Sequence, residues 1–263
     1  MAEARWLRQT KDKPLFGDLL WSKPENKRLA GKLLVIGGNQ YGFAAPAEAY
    51  NQAMKAGIGT VRVVLPDRLQ KTVLKIFPAA DFAASTSSGS FSQAALAELL
   101  DQAAWADGVL IAGDLAHNSE TAILLEKFVS EYGGPVTITK DAADYFTLLP
   151  QPLLSRDSTA LVISIAQLQK LAKQLSFSIA FTFDMDVLRL ADNLSSFSKQ
   201  YPIYIVIKHL QNIFVAVGGQ VSVTKLEEDL ETWRIPTAAH VAVWWLQNKT
   251  QAFEGLSTAV VAS

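Results

Sequence analysis

Two apolar runs flank a helical pattern early in the chain, and this arrangement constrains the fold most strongly. The first run, Lys32–Gly38 (KLLVIGG), has no polar alternation, which is typical of a strand buried on both faces of a parallel sheet. Alanines at helical spacing over 47–56 predict a helix, and Pro46 suits its first turn. The second run, Thr60–Leu65 (TVRVVL), predicts another strand. Strand, helix and strand within about 35 residues form a βαβ unit.

The same alternation continues along the chain. A Gly218-Gly219 pair between two short apolar runs predicts a β-hairpin. The pattern therefore predicts one doubly wound α/β domain: a mostly parallel central sheet, helices on both faces, and an antiparallel hairpin near the C-terminal edge. The further strands are expected at 108–112, 135–139, 160–164 and 201–208, and the further helices at 93–104, 119–132 (capped by Ser119), 166–174, 184–191 and 237–247.

Composition and charge exclude several classes of function. The chain has no cysteine, which excludes disulfides and thiolate metal sites, and its three histidines are too scattered to suggest a metal centre. Lys and Arg total 24 against 25 Asp and Glu, so neither nucleic acid nor an anionic membrane is an expected partner. No apolar run reaches the length of about 18 residues that a membrane span needs. Residues 1–13 lack the apolar centre of a signal peptide, so we expect a cytoplasmic protein.

Open α/β sheets bind ligands beyond the carboxyl ends of their strands. The loops that follow the predicted strands are therefore the candidate site. They cover residues 37–45, 113–118, 140–144, 164–167 and 209–212, together with the predicted helix start at 237–240.

The first of these loops, GGNQYG, lacks the GxGxxG spacing of a dinucleotide fingerprint. Instead, residues 26–66 resemble the opening of the ADP/ATP-dependent NAD(P)H-hydrate dehydratases, which belong to the ribokinase-like superfamily. Weaker similarities follow in order at WADGVLIAGDLAH (105–117), VTITKDAADY (136–145) and LVISIAQLQKL (161–171). The positions that agree without a gap in the first block are Lys27, Gly31, Gly38, Ala45, Pro46, Ala53, Gly57 and Gly59.

The resemblance, which covers about residues 26 to 260, implies a ribokinase-like three-layer α/β/α fold. It suggests a single domain over 26–263 preceded by an N-terminal extension, 1–25. The ligands that it implies are ADP or ATP, with or without Mg²⁺, and NAD(P)HX as substrate. The implied substrate contacts are Asn39, Ala45, Asp114, Ala116, Asp141 and Ser164, and the implied nucleotide contacts are Lys208, His209, Asn212 and Ala239. His240 stands where the family has its catalytic Asp.

The chain departs from the family at the motifs that handle phosphate. The glycine positions of GPGLG hold Ala112, Asp114 and Ala116, and GTGD reads Thr-Ala-Ala-His over 237–240. Side chains there obstruct the close backbone approach of a phosphate to a helix N-terminus. The functional hypotheses are therefore a divergent NAD(P)HX dehydratase, a catalytically degenerate nucleotide or small-ligand binding protein, and, less favoured because it needs the same turn, a small-molecule kinase. Whether the chain is an enzyme stays open, and weak or absent dehydratase activity is the expectation.

Members of the resembled family commonly form homo-oligomers, and the same is expected here. Trp244 and Trp245 are adjacent on the last predicted helix, and aromatic residues make up 10% of the chain. An exposed tryptophan pair would suit an interface.

Overall fold

A computed structural model describes residues 6–228 and 231–263 of the chain. Their strands form one ten-stranded sheet with the order β1-β10-β9-β8-β7-β6-β5-β2-β3-β4. The strands are β1 (Trp6–Gln9), β2 (Lys32–Gly37), β3 (Thr60–Pro66), β4 (Ala80–Ala83), β5 (Gly108–Gly113), β6 (Val136–Thr139), β7 (Thr159–Ile163), β8 (Ile203–His209), β9 (Asn212–Val217) and β10 (Gln220–Lys225).

The sheet is mostly parallel, as the sequence predicts. Within the described residues only β9 runs against its neighbours, β8 and β10, and every other strand pair is parallel. The hairpin around Gly218-Gly219 is confirmed. The pairing of β1 with β10 was not predicted, and it places a strand of the first 25 residues at the edge of the sheet.

Helices cover both faces of the sheet and complete the three layers. One face packs against α1 (Gly17–Trp21), α2 (Ala44–Ala56), α3 (Gln70–Val73), α10 (Arg234–Gln247) and α11 (Ala252–Val261). The other face packs against α4 (Leu96–Trp105), α5 (Ser119–Glu131), α6 (Ala142–Leu148), α7 (Gln151–Leu154), α8 (Ile165–Gln174) and α9 (Val187–Gln200). None of these helices is long and apolar enough to cross a membrane.

The apolar run of β2 fills both cores. Leu34 and Ile36 belong to the cluster on one face, and Leu33 and Val35 to the cluster on the other. All four are fully buried. Successive side chains of a strand point to opposite faces, and a strand covered on both sides therefore needs apolar residues at every position. Each such side chain contributes about 1.5–3 kcal/mol through burial.

The structure corrects the start of the helix over 237–247. Helix α10 begins at Arg234, three residues earlier, and the Thr237 N–H donates to the Trp233 carbonyl at 3.0 Å. Pro236 therefore lies inside the first turn, where its missing N–H costs no hydrogen bond.

Two further helix starts also differ from the prediction. Asn118, not Ser119, caps α5, because its side chain accepts from the Glu120 and Thr121 N–H groups at 2.8 and 3.2 Å. Helix α9 begins at Val187, since Asp186 caps it by accepting the Arg189 N–H. It continues to Gln200, beyond the predicted end at residue 191.

The adjacent tryptophans of α10 lie on a buried helix face. Trp244 and Trp245 are 2% and 3% exposed. The Trp245 ring meets Tyr204 of β8 edge-on at 5.2 Å, and the Lys23 ammonium lies 5.5 Å from the centre of the Trp244 ring. Both indoles are covered within the chain because α10 packs directly on the sheet and on α2.

Candidate functional site

Asp114 lies at the centre of a hydrogen-bond network at the carboxyl edge of the sheet. One carboxylate oxygen accepts the backbone N–H of Ala45, in the first turn of α2, at 2.7 Å. The other accepts the Lys140 ammonium at 2.8 Å. The Asn39 amide donates to the Asp114 carbonyl at 2.5 Å. Asp114 thus joins the loops after β2, β5 and β6, and its carboxylate lies at the positive end of the α2 dipole.

Asp141 holds the turn that carries Asp114. Its two carboxylate oxygens accept the backbone N–H groups of Asp114 and Leu115 at 2.7 and 2.8 Å. Gly113 allows this close approach, because a Cβ added there would lie 2.5 Å from the Asp141 carboxylate. Both oxygens therefore hold the turn in place, although each keeps a further lone pair for a ligand.

Ser164 joins the same network through Gln167. Ser164 caps α8, and the side-chain oxygen of Gln167 accepts the Ser164 N–H at 3.0 Å. The Gln167 amide also donates to the Lys140 carbonyl at 2.7 Å and to the Asp144 carboxylate at 3.1 Å. The loops after β6 and β7 are thus connected, and Ser164 acts as the cap of α8.

Tyr145 clamps the far end of the β5 turn and was not among the sequence-predicted site residues. Its hydroxyl donates to the Ala116 carbonyl and accepts the Asn118 N–H, the latter at 3.1 Å. Burial raises the pKa of Tyr145, so the hydroxyl stays protonated as a donor. Its position one turn after Asp141 is the only signal of this role in the sequence.

A serine-rich loop, 85–92, borders the site on the side of β3 and β4. The Gly89 carbonyl accepts the Gln40 N–H at 2.9 Å, and Ser88 accepts the Asn118 amide at 3.0 Å. We call the connected loops 39–45, 85–90, 113–118, 140–144 and 164–167 the rim. The rim therefore contains all six residues that the resemblance implies as substrate contacts.

Three of the implied nucleotide contacts lie further along the same edge. Lys208 and His209 end β8, and His209 pairs with Asn212 at the start of β9. His209 is buried and its Nε2 donates to the Met185 carbonyl at 2.7 Å, which requires a proton on that nitrogen. The loop after α8 thus packs onto the end of β8.

Ala239 and His240 lie elsewhere, in the interior of α10. Ala239 is fully buried and His240 is 5% exposed. The Nδ1 of His240 has no hydrogen-bond partner among the described residues. Burial, with smaller effects from Lys23 and Lys55, lowers the pKa of His240 to about 4. The imidazole is therefore neutral at pH 7 and a weak base.

Comparison with known proteins rests on structure alone. No protein-family model matches the chain, and no curated protein sequence matches it. A ribokinase-like superfamily protein from Enterococcus faecalis is similar over 100% of this chain and 88% of its own, with a TM-score of 0.75 and 14% identity. A hypothetical protein of Streptococcus mutans is 18% identical over 90% of this chain and 82% of its own, with a TM-score of 0.66.

An ADP/ATP-dependent NAD(P)H-hydrate dehydratase from Bacillus subtilis, co-crystallised with ATP and Mg²⁺, is also similar in structure. The match covers 90% of this chain and 79% of that one, with a TM-score of 0.58 and 14% identity. The fold is ribokinase-like. At such identities the comparisons establish the fold, and the activity of the Bacillus protein belongs to that protein.

Within this ribokinase-like fold, backbone strain is concentrated at the carboxyl edge of the sheet. Five described residues other than glycine have a positive φ, and four of them follow strand ends: Asp114 (57°), Ala116 (58°), Lys140 (54°) and Leu210 (52°). Such conformations cost about 1–3 kcal/mol each and persist where surrounding contacts impose them. Asp114 and Ala116 occupy positions where the resemblance has glycine, so these two residues adopt a backbone conformation that glycine favours.

The backbone near the start of α10 is, by contrast, an ordinary helix. Residues 238–240 lie inside the helix, where each N–H donates to the carbonyl one turn earlier. The interpretation of 237–240 as a free helix start was therefore wrong. These N–H groups are not available to a phosphate, so Ala239 and His240 do not fit the nucleotide group that the resemblance implies.

The acidic residues at this edge of the sheet also bear on whether the site fits the Mg²⁺ that the resemblance implies. Among the described residues no three His, Asp or Glu side chains come together as a metal site would need. The Asp114 carboxylate is already paired with Lys140.

Proposed function

We propose that this protein is a catalytically silent, ribokinase-like binding protein whose rim holds a small polar ligand of the nucleotide class, with ADP, ATP and NAD(P)HX as the first candidates. The observation that carries the proposal is the helical conformation of residues 237–240. Phosphate chemistry at this position needs free backbone N–H groups and an acid–base residue. Residues 237–240 offer neither, because their N–H groups are used within α10 and His240 is buried and neutral.

Retention of a binding site is supported by the rim. A turn that is held in strained conformations by Asp141, Lys140 and Tyr145 costs stability. Strain of this kind clusters at ligand sites, where it fixes polar groups before the ligand arrives.

The second candidate is nucleotide-driven dehydration of NAD(P)HX. Its support is the resemblance of residues 26–66 and the retention of Asp141 in the rim, together with the fold shared with the Bacillus dehydratase. Under this alternative another group would have to take the role that the resemblance gives to the residue at 240. Lys140, whose ammonium lies 2.8 Å from the Asp114 carboxylate, is an ionisable side chain of the rim that could take this role.

A thermal-shift panel tests the binding proposal. ADP, ATP, NADH, NADPH and NADHX are each added with and without Mg²⁺. A ligand at 100 times its Kd stabilises by about 2.7 kcal/mol, which is roughly 5–10 °C for a chain of this length. No shift with any of the five ligands at millimolar concentration would contradict the proposal.

Recovery of absorbance at 340 nm from NADHX separates the two candidates. A silent binder gives no nucleotide-dependent recovery above the rate without protein. Turnover of about 1 s⁻¹ or faster, in the ordinary range of enzymes, would favour the dehydratase and overturn the silent binder.

The oligomeric state remains a prediction from the resemblance. Burial of Trp244 and Trp245 removes the aromatic argument for an interface. Light scattering coupled to gel filtration distinguishes a 28.6 kDa monomer from multiples of that mass.

A further inference from the structure

A second groove, of about 420 Å³, lies beyond the ends of β1, β9 and β10. It is separate from the rim and on the side of the sheet covered by α9, since Val187 of α9 and Val223 of β10 form its apolar wall. Its polar lining includes Arg8, Lys13, Lys225 and Asn212. We call it the cationic groove.

Arg8 and Lys13 belong to a segment that hydrogen bonds anchor to the rest of the chain. Gln9, only 3% exposed, donates to the Thr224 hydroxyl and the Ser257 carbonyl at 2.8 Å each and accepts the Leu15 N–H at 3.1 Å. Thr10 and Lys13 close a tight turn by exchanging two backbone hydrogen bonds of 3.2 Å. The groove is therefore formed before a ligand arrives, which lowers the entropic cost of binding.

The described lining of the groove carries three positive charges and no carboxylate. None of Arg8, Lys13 and Lys225 makes an ion pair within the described parts of the chain, although Arg8 lies over the Trp6 ring at 4.8 Å. Asp186, which precedes Val187, does not line the groove, and its carboxylate accepts the Arg189 N–H as the cap of α9. Glu227 and Glu228 line a different groove, on the α11 side of β10, which Lys225 also borders.

We propose that the cationic groove binds the di- or triphosphate group of a small molecule. Its volume lies within the range of small-ligand sites. Arg8 offers a planar fork that matches phosphate oxygens, Lys13 and Lys225 supply two further positive charges, and the Asn212 amide can donate a neutral hydrogen bond. The proposal does not depend on the rim, because no residue of the groove belongs to it.

Titration calorimetry with the full chain tests the groove, with inorganic tripolyphosphate and ATP as probes. Arg8→Glu and Lys13→Glu should each weaken tripolyphosphate binding about ten-fold or more, because each replaces an attraction with a repulsion. Lys11→Glu is the matched control: it lies in the same tight turn and makes the same charge change, but it lines the groove on the other side of β10. It should change the Kd less than about two-fold.

Arg8→Gln provides a milder variant, and circular dichroism confirms that each variant is folded. Equal weakening by Lys11→Glu would show a general surface-charge effect and overturn the proposal, as would no binding by the unmodified chain. Tighter binding of a single-stranded oligonucleotide or of anionic phospholipid vesicles than of tripolyphosphate would also overturn it, in favour of a macromolecular partner. Ligands such as ATP could bind at either place, and the same variants distinguish the two: binding in the groove weakens in Arg8→Glu and Lys13→Glu, whereas binding at the rim does not, so the two proposals fail separately.

Discussion

The turn after β5 and the start of α10 both carry side chains where the resembled family has glycine, but their backbones differ. Both stand where the resemblance has glycine-rich phosphate motifs, and both now carry side chains. At the β5 turn, Asp114 and Ala116 keep left-handed backbone conformations. At the second site, Thr237 and Ala239 have joined a helix.

The difference lies in what surrounds each segment. The β5 turn is held from outside by Asp141, Lys140 and Tyr145, so its backbone cannot relax. The segment over 237–240 contains two alanines, the best helix formers. In these two segments, the backbone is left-handed where neighbouring contacts hold it and helical where they do not.

Removal of the Asp141 carboxylate is the strongest test of whether contacts from other loops hold the β5 turn. Asp141→Ala leaves the Asp114 and Leu115 N–H groups without acceptors and releases the strained turn, so we expect a loss of about 3–4 kcal/mol in the free energy of unfolding. Urea denaturation measures it, with exposed Asp192→Ala as the control that should stay within about 0.5 kcal/mol. A loss below 1 kcal/mol at Asp141 would mean that the turn holds itself.

The pH dependence of stability tests the burial of His240 in α10. Its pKa falls from 6.5 to about 4 on folding, so between these values the unfolded chain binds the extra proton. The contribution of a neutral His240 to the free energy of unfolding is therefore fully present above pH 6.5. It is lost as the pH falls towards 4, by up to about 3 kcal/mol. His240→Gln should flatten this part of the profile, whereas exposed His117→Gln should not. An unchanged slope in His240→Gln would place the titrating group elsewhere.

Gly113 tests the close approach of the rim loops. Gly113→Ala places a Cβ 2.5 Å from the Asp141 carboxylate at φ +98°, so we expect a loss of about 2 kcal/mol. Gly42→Ala is the matched control in the neighbouring loop, since an added Cβ there meets nothing within 4 Å. Thermal melts of both variants provide the comparison, and equal effects would contradict it.

The smallest effects compare the two regions directly. Ala116→Gly relieves a left-handed residue and should stabilise the chain by about 0.5 kcal/mol, after the higher entropy of the unfolded glycine is included. Ala239→Gly, inside α10, should destabilise it by about 1 kcal/mol. Opposite signs in denaturant titrations support the contrast, and the same sign for both changes would break it.

Much of the fold follows from local patterns. The strand beginning at Lys32, the hairpin at Gly218-Gly219 and the alternation between them are visible because burial on two faces, and turns with positive φ, restrict the residue types at each position. The order of the loops also predicts that Asn39, Asp114, Asp141 and Ser164 lie at one edge, because parallel strands end on the same side.

The contacts within that edge could not be predicted from the sequence. Nothing in the local pattern indicates that Asp141 would bind the Asp114 turn rather than a ligand, or that Tyr145 would clamp it, because both roles depend on loops 25 or more residues apart. The burial of the tryptophans likewise depends on how α10 lies against α2 and β8.

The sequence by itself determined the layers of this protein, since the period of its apolar residues specifies which segments are strands, which are helices, and which faces are covered. Tertiary structure decided the backbone at the two altered motifs. A left-handed turn at Asp114 is stable only because distant side chains complete its hydrogen bonds, and residues 237–240 are helical because α10 begins before them and packs on the sheet. Local propensity differs by about 1 kcal/mol per residue, which is less than the contacts supply at either place.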